Sequence, residues 1–138
     1  MIILDTNVLS ELMRANADAG VLSWLASQPS PSLFTTTISE AEIRLGLAYL
    51  PAGSRRTELT HAADGLFADF GERVLPFNSD AAVDYAAIGA ARRNAGRPIS
   101  ALDAQIAAMA RSRGAALATR NIRDFDRCGI DLLDPWTT

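Results

Sequence analysis

Residues 1–14 read MIILDTNVLSELMR. Four apolar residues run into Asp5, Thr6 and Asn7, after which the apolar positions take helical spacing. A short, continuously apolar run is the pattern of a strand buried on both faces, and one that stops at a carboxylate delivers that carboxylate to an edge of the sheet. An Asp between strand and helix is also what a helix N-cap looks like. Which role Asp5 plays depends on whether other acids reach the same edge.

Read outward from that stretch, strand and helix patterns alternate. Further strands are predicted at 33–37, 74–77, 115–119 and 131–133. Helical spacing covers 8–25, with a break around 16–20, then 38–50, 56–70, 79–95 and 100–113, the last three stopped near Gly71, Gly96 and Gly114 going from 56–70 onward. PSPS at 29–32 and PAGS at 51–54 punctuate the chain as loops. Short apolar strands separated by amphipathic helices predict an α/β domain with a mainly parallel sheet of four to five strands, covered by helices on both faces. In such sheets ligands bind outside the carboxyl ends of the strands, where Asp5 falls.

Size and composition narrow the chemistry. A chain of 138 residues, 49% hydrophobic, is enough for one domain, taken as 1–138, with a real core. No apolar run is long enough to span a membrane and no signal peptide is recognisable, so a cytoplasmic location with no membrane contact is expected. Cys128 and His61 are each the sole residue of their type, which leaves no internal disulfide, no cysteine cage for zinc and no pair of catalytic histidines. All 13 basic residues are arginine. Without lysine there is neither a P-loop phosphate lysine nor a Schiff base, although arginine still grips phosphate through its planar fork. The net charge of −3 conceals a basic stretch: residues 86–127 hold eight arginines against three acids. Solvated helix faces or a phosphate track would each account for it, and Arg92, Arg93, Arg97 and Arg120 are its candidate phosphate contacts.

Acids recur where the first one sits. Glu42, in TTTISEAEIRLG (35–46), follows the second strand and lies three residues after Ser39, the spacing of a capping box. Asp103, in RPISALDAQIAAMARSRG (97–114), is the third helical residue after a plausible cap at Ser100. ALATRNIRDFD (116–126) ends the fourth strand at Thr119 and offers Asn121, Asp124 and Asp126. Each has a local explanation in caps or Asx turns. Together they put acids or amides on one edge of a parallel sheet, and carboxylates ~4 Å apart repel by about 4 kcal/mol even at an effective dielectric near 20. A hard cation held by oxygen ligands, Mg²⁺ or Mn²⁺, is the natural compensation, and such a centre supports in-line displacement at a phosphodiester without any histidine.

LDTNVLSEL (4–12), SEAEIRLGL (39–47), LDAQIAAMA (102–110), ATRNIRDF (118–125) and the terminal DPW (134–136) resemble, in order and spacing, the PIN domain family. Within it they resemble the VapC-type toxins of bacterial toxin–antitoxin pairs, in particular the FitB-like branch. The resemblance implies a ribonuclease that cuts RNA with Mg²⁺ or Mn²⁺, is inhibited by a small cognate antitoxin covering the acidic pocket, and assembles as a homodimer. Carried onto this chain, Asp5, Glu42 and Asp103 match the acidic trio and its metal ligands, and Asp124 is a further catalytic candidate. Thr6 and Asn7 match the turn after the first strand. At Asn121 many relatives have an acid, so one metal fits this chain better than two.

Two other readings remain open. A phosphotransferase or phosphatase with Asp5 as nucleophile would resemble haloacid-dehalogenase-like enzymes, but these use Asp-x-Asp and a lysine, whereas this chain has Asn7 and no lysine. A noncatalytic partner- or RNA-binding module would keep the acids as caps.

Overall fold

The computed structural model describes residues 1–137. Its elements run β1 (Ile2–Leu4), α1 (Thr6–Leu12), α2 (Ala19–Ser27), β2 (Leu33–Thr36), α3 (Thr37–Ala48), α4 (Ser54–Phe70), β3 (Val74–Leu75), α5 (Ser79–Asn94), α6 (Ala101–Ser112), β4 (Ala116–Ala118) and β5 (Leu132–Leu133). The expected break in the first helical stretch is a turn between α1 and α2, where Asp18 caps α2 through the Val21 N–H. The third strand stops at Leu75, two residues short of its predicted end, because Pro76 has no N–H to offer the ladder.

All strand pairings are parallel, in the order β3-β2-β1-β4-β5. β1 is central, with Ile2 and Ile3 opposite Leu33 and Phe34 on one side and Ala116 and Leu117 on the other. From β1 the chain builds outward through β2 and β3, then returns to lay β4 and β5 on the opposite flank. The carboxyl ends of β1 and β4 therefore border the crevice where the direction of winding switches.

Side-chain alternation divides the core in two. Ile3 and Leu117 point to one face and pack with Ile88 of α5 and the buried run Ile106–Ala110 of α6. Leu4 and Ala118 point to the other face, where they meet Val8 and Leu9 of α1, Ile43 of α3 and Phe67 of α4. Small side chains along α6 let it lie close to the sheet and to α5; Ala104, Ala107, Ala108 and Ala110 are all buried. Gly96 and Gly114, at φ +72 and +63, reverse the chain after α5 and α6 in a backbone region that a side chain would strain.

A carboxylate pocket at the carboxyl edge of the sheet

Asp5 is both cap and pocket wall. The β1 strand ends as the Asp5 N–H donates to the Ala118 carbonyl, and the side chain turns back so that Oδ1 accepts from the Thr6 N–H at 2.8 Å. The Thr119 hydroxyl, from the end of β4, donates to Oδ2 at 2.8 Å. Thr119 Oγ1 itself accepts from the Asn121 N–H at 3.0 Å and from Asn7 Nδ2 at 3.3 Å, so one hydroxyl ties together the turns after β1 and β4. Asp5 is 5% exposed. Burial pushes its carboxyl up from 3.8 to about 6 against the lowering effect of these two hydrogen bonds, and Asp103 and Glu42 add repulsion.

Glu42 reaches the pocket because it is not a cap. The Ser39–Glu42 capping box expected from spacing does not form. Helix α3 starts earlier, at Thr37, and Thr36 caps it through the Ser39 N–H at 3.0 Å. That leaves the Glu42 carboxylate for Thr6, whose Oγ1 lies 2.8 Å from Glu42 Oε1 and 2.9 Å from Ser39 Oγ. A hydroxyl has one proton to give, and an ionised carboxylate can only accept, so Thr6 donates to Glu42.

Asp103 arrives as its spacing predicts, in the first turn of α6 behind the Ser100 cap, whose Oγ accepts from the Asp103 N–H at 3.2 Å. Its carboxyl is raised, mainly by burial; contact with Ser100 opposes this, Asp124 adds to it and Arg92 opposes it more weakly. Three elements thus bring Asp5, Glu42 and Asp103 to one pocket of about 440 Å³, shared with Thr6, Asn7, Ser10, Glu11 and Asn121. Asn121 lines it, whereas Asp124 is exposed on the short 3₁₀ turn Ile122–Phe125, outside the lining.

The arginines separate. Arg92 is 5% exposed: Nε donates to the Arg97 carbonyl at 2.7 Å, and Nη1 to the carbonyls of Asp124 and Asp126, each at 2.9 Å. With its guanidinium engaged inside the fold it has no access to RNA, which corrects the grouping by charge. Arg93 is exposed, Arg97 pairs with Asp126 at the surface, and Arg120 lies on the pocket wall. Cys128 is buried beside Arg92, and the exposed His61 lies outside the pocket lining.

Sequence reading missed Glu11, Thr119 and Trp136. Glu11 is 5% exposed on the pocket wall and paired with Arg14 at 3.0 Å; its place one turn beyond Asn7 was the available signal. Thr119 reads in the sequence only as the end of the fourth strand and Trp136 only as part of the terminal DPW, because their partners are distant in the chain.

An open parallel sheet with carboxylates from separate elements gathered at the winding switch defines an acid-pocket α/β domain. The chain belongs to the PIN domain family, whose profile matches residues 2–130. It is 42% identical over 137 residues to VapC ribonuclease Y4jK of Sinorhizobium fredii (strain NBRC 101917 / NGR234), covering 99% of this chain and 98% of that one. Toxin FitB of Neisseria gonorrhoeae (strain ATCC 700825 / FA 1090) is 34% identical over 137 residues, covering 99% of both chains. The crystal structure of FitAcB from Neisseria gonorrhoeae superposes with a TM-score of 0.93 over 100% of both chains, at 34% identity.

Proposed function

We propose that this chain is the ribonuclease toxin of a type II toxin–antitoxin pair, cutting RNA phosphodiester bonds at the Asp5, Glu42 and Asp103 pocket with Mg²⁺ or Mn²⁺. The observation that carries this reading is the convergence of three carboxylates from β1, α3 and α6 on one pocket, where burial and mutual repulsion lift Asp5 to about 6. The named activities of relatives matching nearly the whole chain support it.

The donor set fits a hard divalent ion. Every ligand candidate is an oxygen, and the pocket has a surplus of negative charge. Among the described residues, no three Asp, Glu, His or Cys side chains close tightly enough to cage an ion. Mg²⁺ does not require such a cage, since it keeps several waters and takes one or two carboxylates directly. Asp5 and Asp103 would be the principal ligands, with Glu42 binding directly or through water. Bound there, the ion would supply charge neutralisation at the phosphodiester and activation of water.

The chain's own residues do the rest. Thr6 orients Glu42, Thr119 orients Asp5, and Asn7 fixes the turn between them. Asn121 presents a neutral amide where a second cation would want an acid, which favours one metal over two. Asp124 tunes Asp103 by charge. Arg93 and Arg97 carry the basic surface toward RNA, a cognate antitoxin covers the pocket, two copies form a homodimer, and the pair works in the cytoplasm. No helix among the described residues is long and apolar enough to cross a membrane.

The test is cleavage of defined RNAs by purified protein with and without Mn²⁺, with Asp5→Asn as control. Metal-dependent cleavage abolished by the substitution supports the reading. Equal cleavage by both proteins refutes the ligand assignment.

A further inference from the structure

The carboxylate pocket has a cationic wall that the acidic trio does not explain. Four carboxylates line it, those of Asp5, Glu11, Glu42 and Asp103, with two arginines, Arg14 and Arg120. Arg14 is committed, its Nη1 lying 3.0 and 3.2 Å from the two carboxylate oxygens of Glu11. Arg120 is exposed and, among the described residues, its guanidinium makes neither an ion pair nor a hydrogen bond. Instead it lies over the indole of Trp136, 5.1 Å from the ring centroid.

That arrangement is anchored on both sides. The Arg120 N–H faces Asn7 Oδ1 at 3.4 Å, and the neighbouring Asn121 N–H is held by Thr119, so the turn carrying Arg120 is the turn that orients Asp5. Trp136 follows β5, its backbone N–H donating to Asp134 Oδ1 at 2.9 Å, and its side chain packs against the core cluster of Leu4 and Val8. The indole is thereby a fixed platform. A guanidinium over an aromatic face uses its π surface for the stack and leaves its in-plane N–H donors for an anion. A polyanion entering a pocket of four carboxylates is repelled unless a cation receives the charge next to the reacting one.

We propose that Arg120, lying over Trp136, binds a phosphate flanking the scissile one and so seats single-stranded RNA across the acidic pocket, and that Trp136 is the positioning residue that holds this guanidinium. The inference rests on the ribonuclease reading above and adds to it the contact that sets substrate register. RNA is the ligand class because an exposed guanidinium with uncommitted donors lies on the wall of the pocket assigned to phosphodiester cleavage, where it can grip a backbone phosphate.

The experiment measures affinity for a single-stranded oligoribonucleotide in EDTA, where no metal supports cleavage, across a salt series, and steady-state cleavage of the same RNA with Mn²⁺. Arg120→Ala is expected to weaken binding about tenfold and to reduce the salt slope by about 0.7, the loss of one phosphate contact on a single strand. KM should rise while kcat stays within about twofold. Trp136→Leu should move binding in the same direction, Trp136→Phe should largely restore it, and Trp136→Leu combined with Arg120→Ala should be no worse than Arg120→Ala alone. Arg120 is exposed, so its substitution does not disturb the core whatever Trp136→Leu does to folding. An unchanged slope and affinity in Arg120→Ala, or fully additive losses in the double substitution, overturns the proposal. If the parent binds the oligonucleotide through Arg120 but cuts no RNA, the ribonuclease reading fails and the phosphate contact stands.

Discussion

Thr119 and Asp5, 114 positions apart in the chain, meet through a 2.8 Å hydrogen bond across the crevice between β4 and β1. The bond makes a buried carboxylate tolerable and fixes the direction in which it faces. Replacing Thr119 with Val keeps the shape of the side chain and removes the hydroxyl, leaving Asp5 Oδ2 without its donor and the Asn121 N–H without its acceptor. The expected loss of stability is about 1 to 3 kcal/mol by urea unfolding, with Thr119→Ser close to the parent.

Asp5 also sets a pH dependence that runs opposite to that of a salt-bridged acid. Its folded-state value near 6 lies above its ordinary 3.8, so the folded chain holds the proton more tightly. Its contribution is therefore fully present below about pH 4 and is lost as pH rises through about 6, a change of about 3 kcal/mol. In metal-free protein, unfolding free energy should fall more steeply from pH 4 to 7 in the parent than in Asp5→Asn. Parallel profiles would show that Asp5 is an ordinary carboxylate.

Thr6 connects the first turn to α3 by donating to Glu42. Thr6→Val should lower divalent-ion affinity about tenfold, the usual size of losing a group that orients a ligand, while changing thermal stability little. Titration of Mn²⁺ into both proteins checks this, and equal affinities would reduce Thr6 to a packing residue.

Arg92 and Arg93 are adjacent and should behave oppositely. Arg92→Met leaves the carbonyls of Arg97, Asp124 and Asp126 without their buried donor and should destabilise the fold by about 2 to 4 kcal/mol. Arg93→Glu, at an exposed position, should leave stability within about 0.5 kcal/mol and weaken RNA binding instead. Denaturation curves and a salt series on the same two proteins separate the effects.

Why some of this was legible in the chain and some was not follows from the range of the interactions. Strand and helix order came through because apolar periodicity is local, and Ser100 capping ahead of Asp103 is a contact three residues long. Glu42 is legible at the sheet edge from its place just after β2, but its freedom from capping is not: the cap is Thr36, a strand residue whose capping role depends on where β2 ends. Arg92 and Arg93 look alike in sequence, and only the packing of α5 against the 3₁₀ turn makes one a buried strut. Trp136 is legible as part of the terminal DPW, but its place on the pocket wall appears only once β5 pairs with β4.

At the centre of the proposed chemistry, Asp5, Glu42 and Asp103 share one divalent ion. Calorimetric titration of Mn²⁺ into chelator-stripped protein at pH 7 tests it most directly. A shared site predicts saturable uptake of about one ion per chain in the parent and its loss in both Asp5→Asn and Asp103→Asn, each still folded by circular dichroism. No uptake by the parent, or equal uptake by all three proteins, would contradict it.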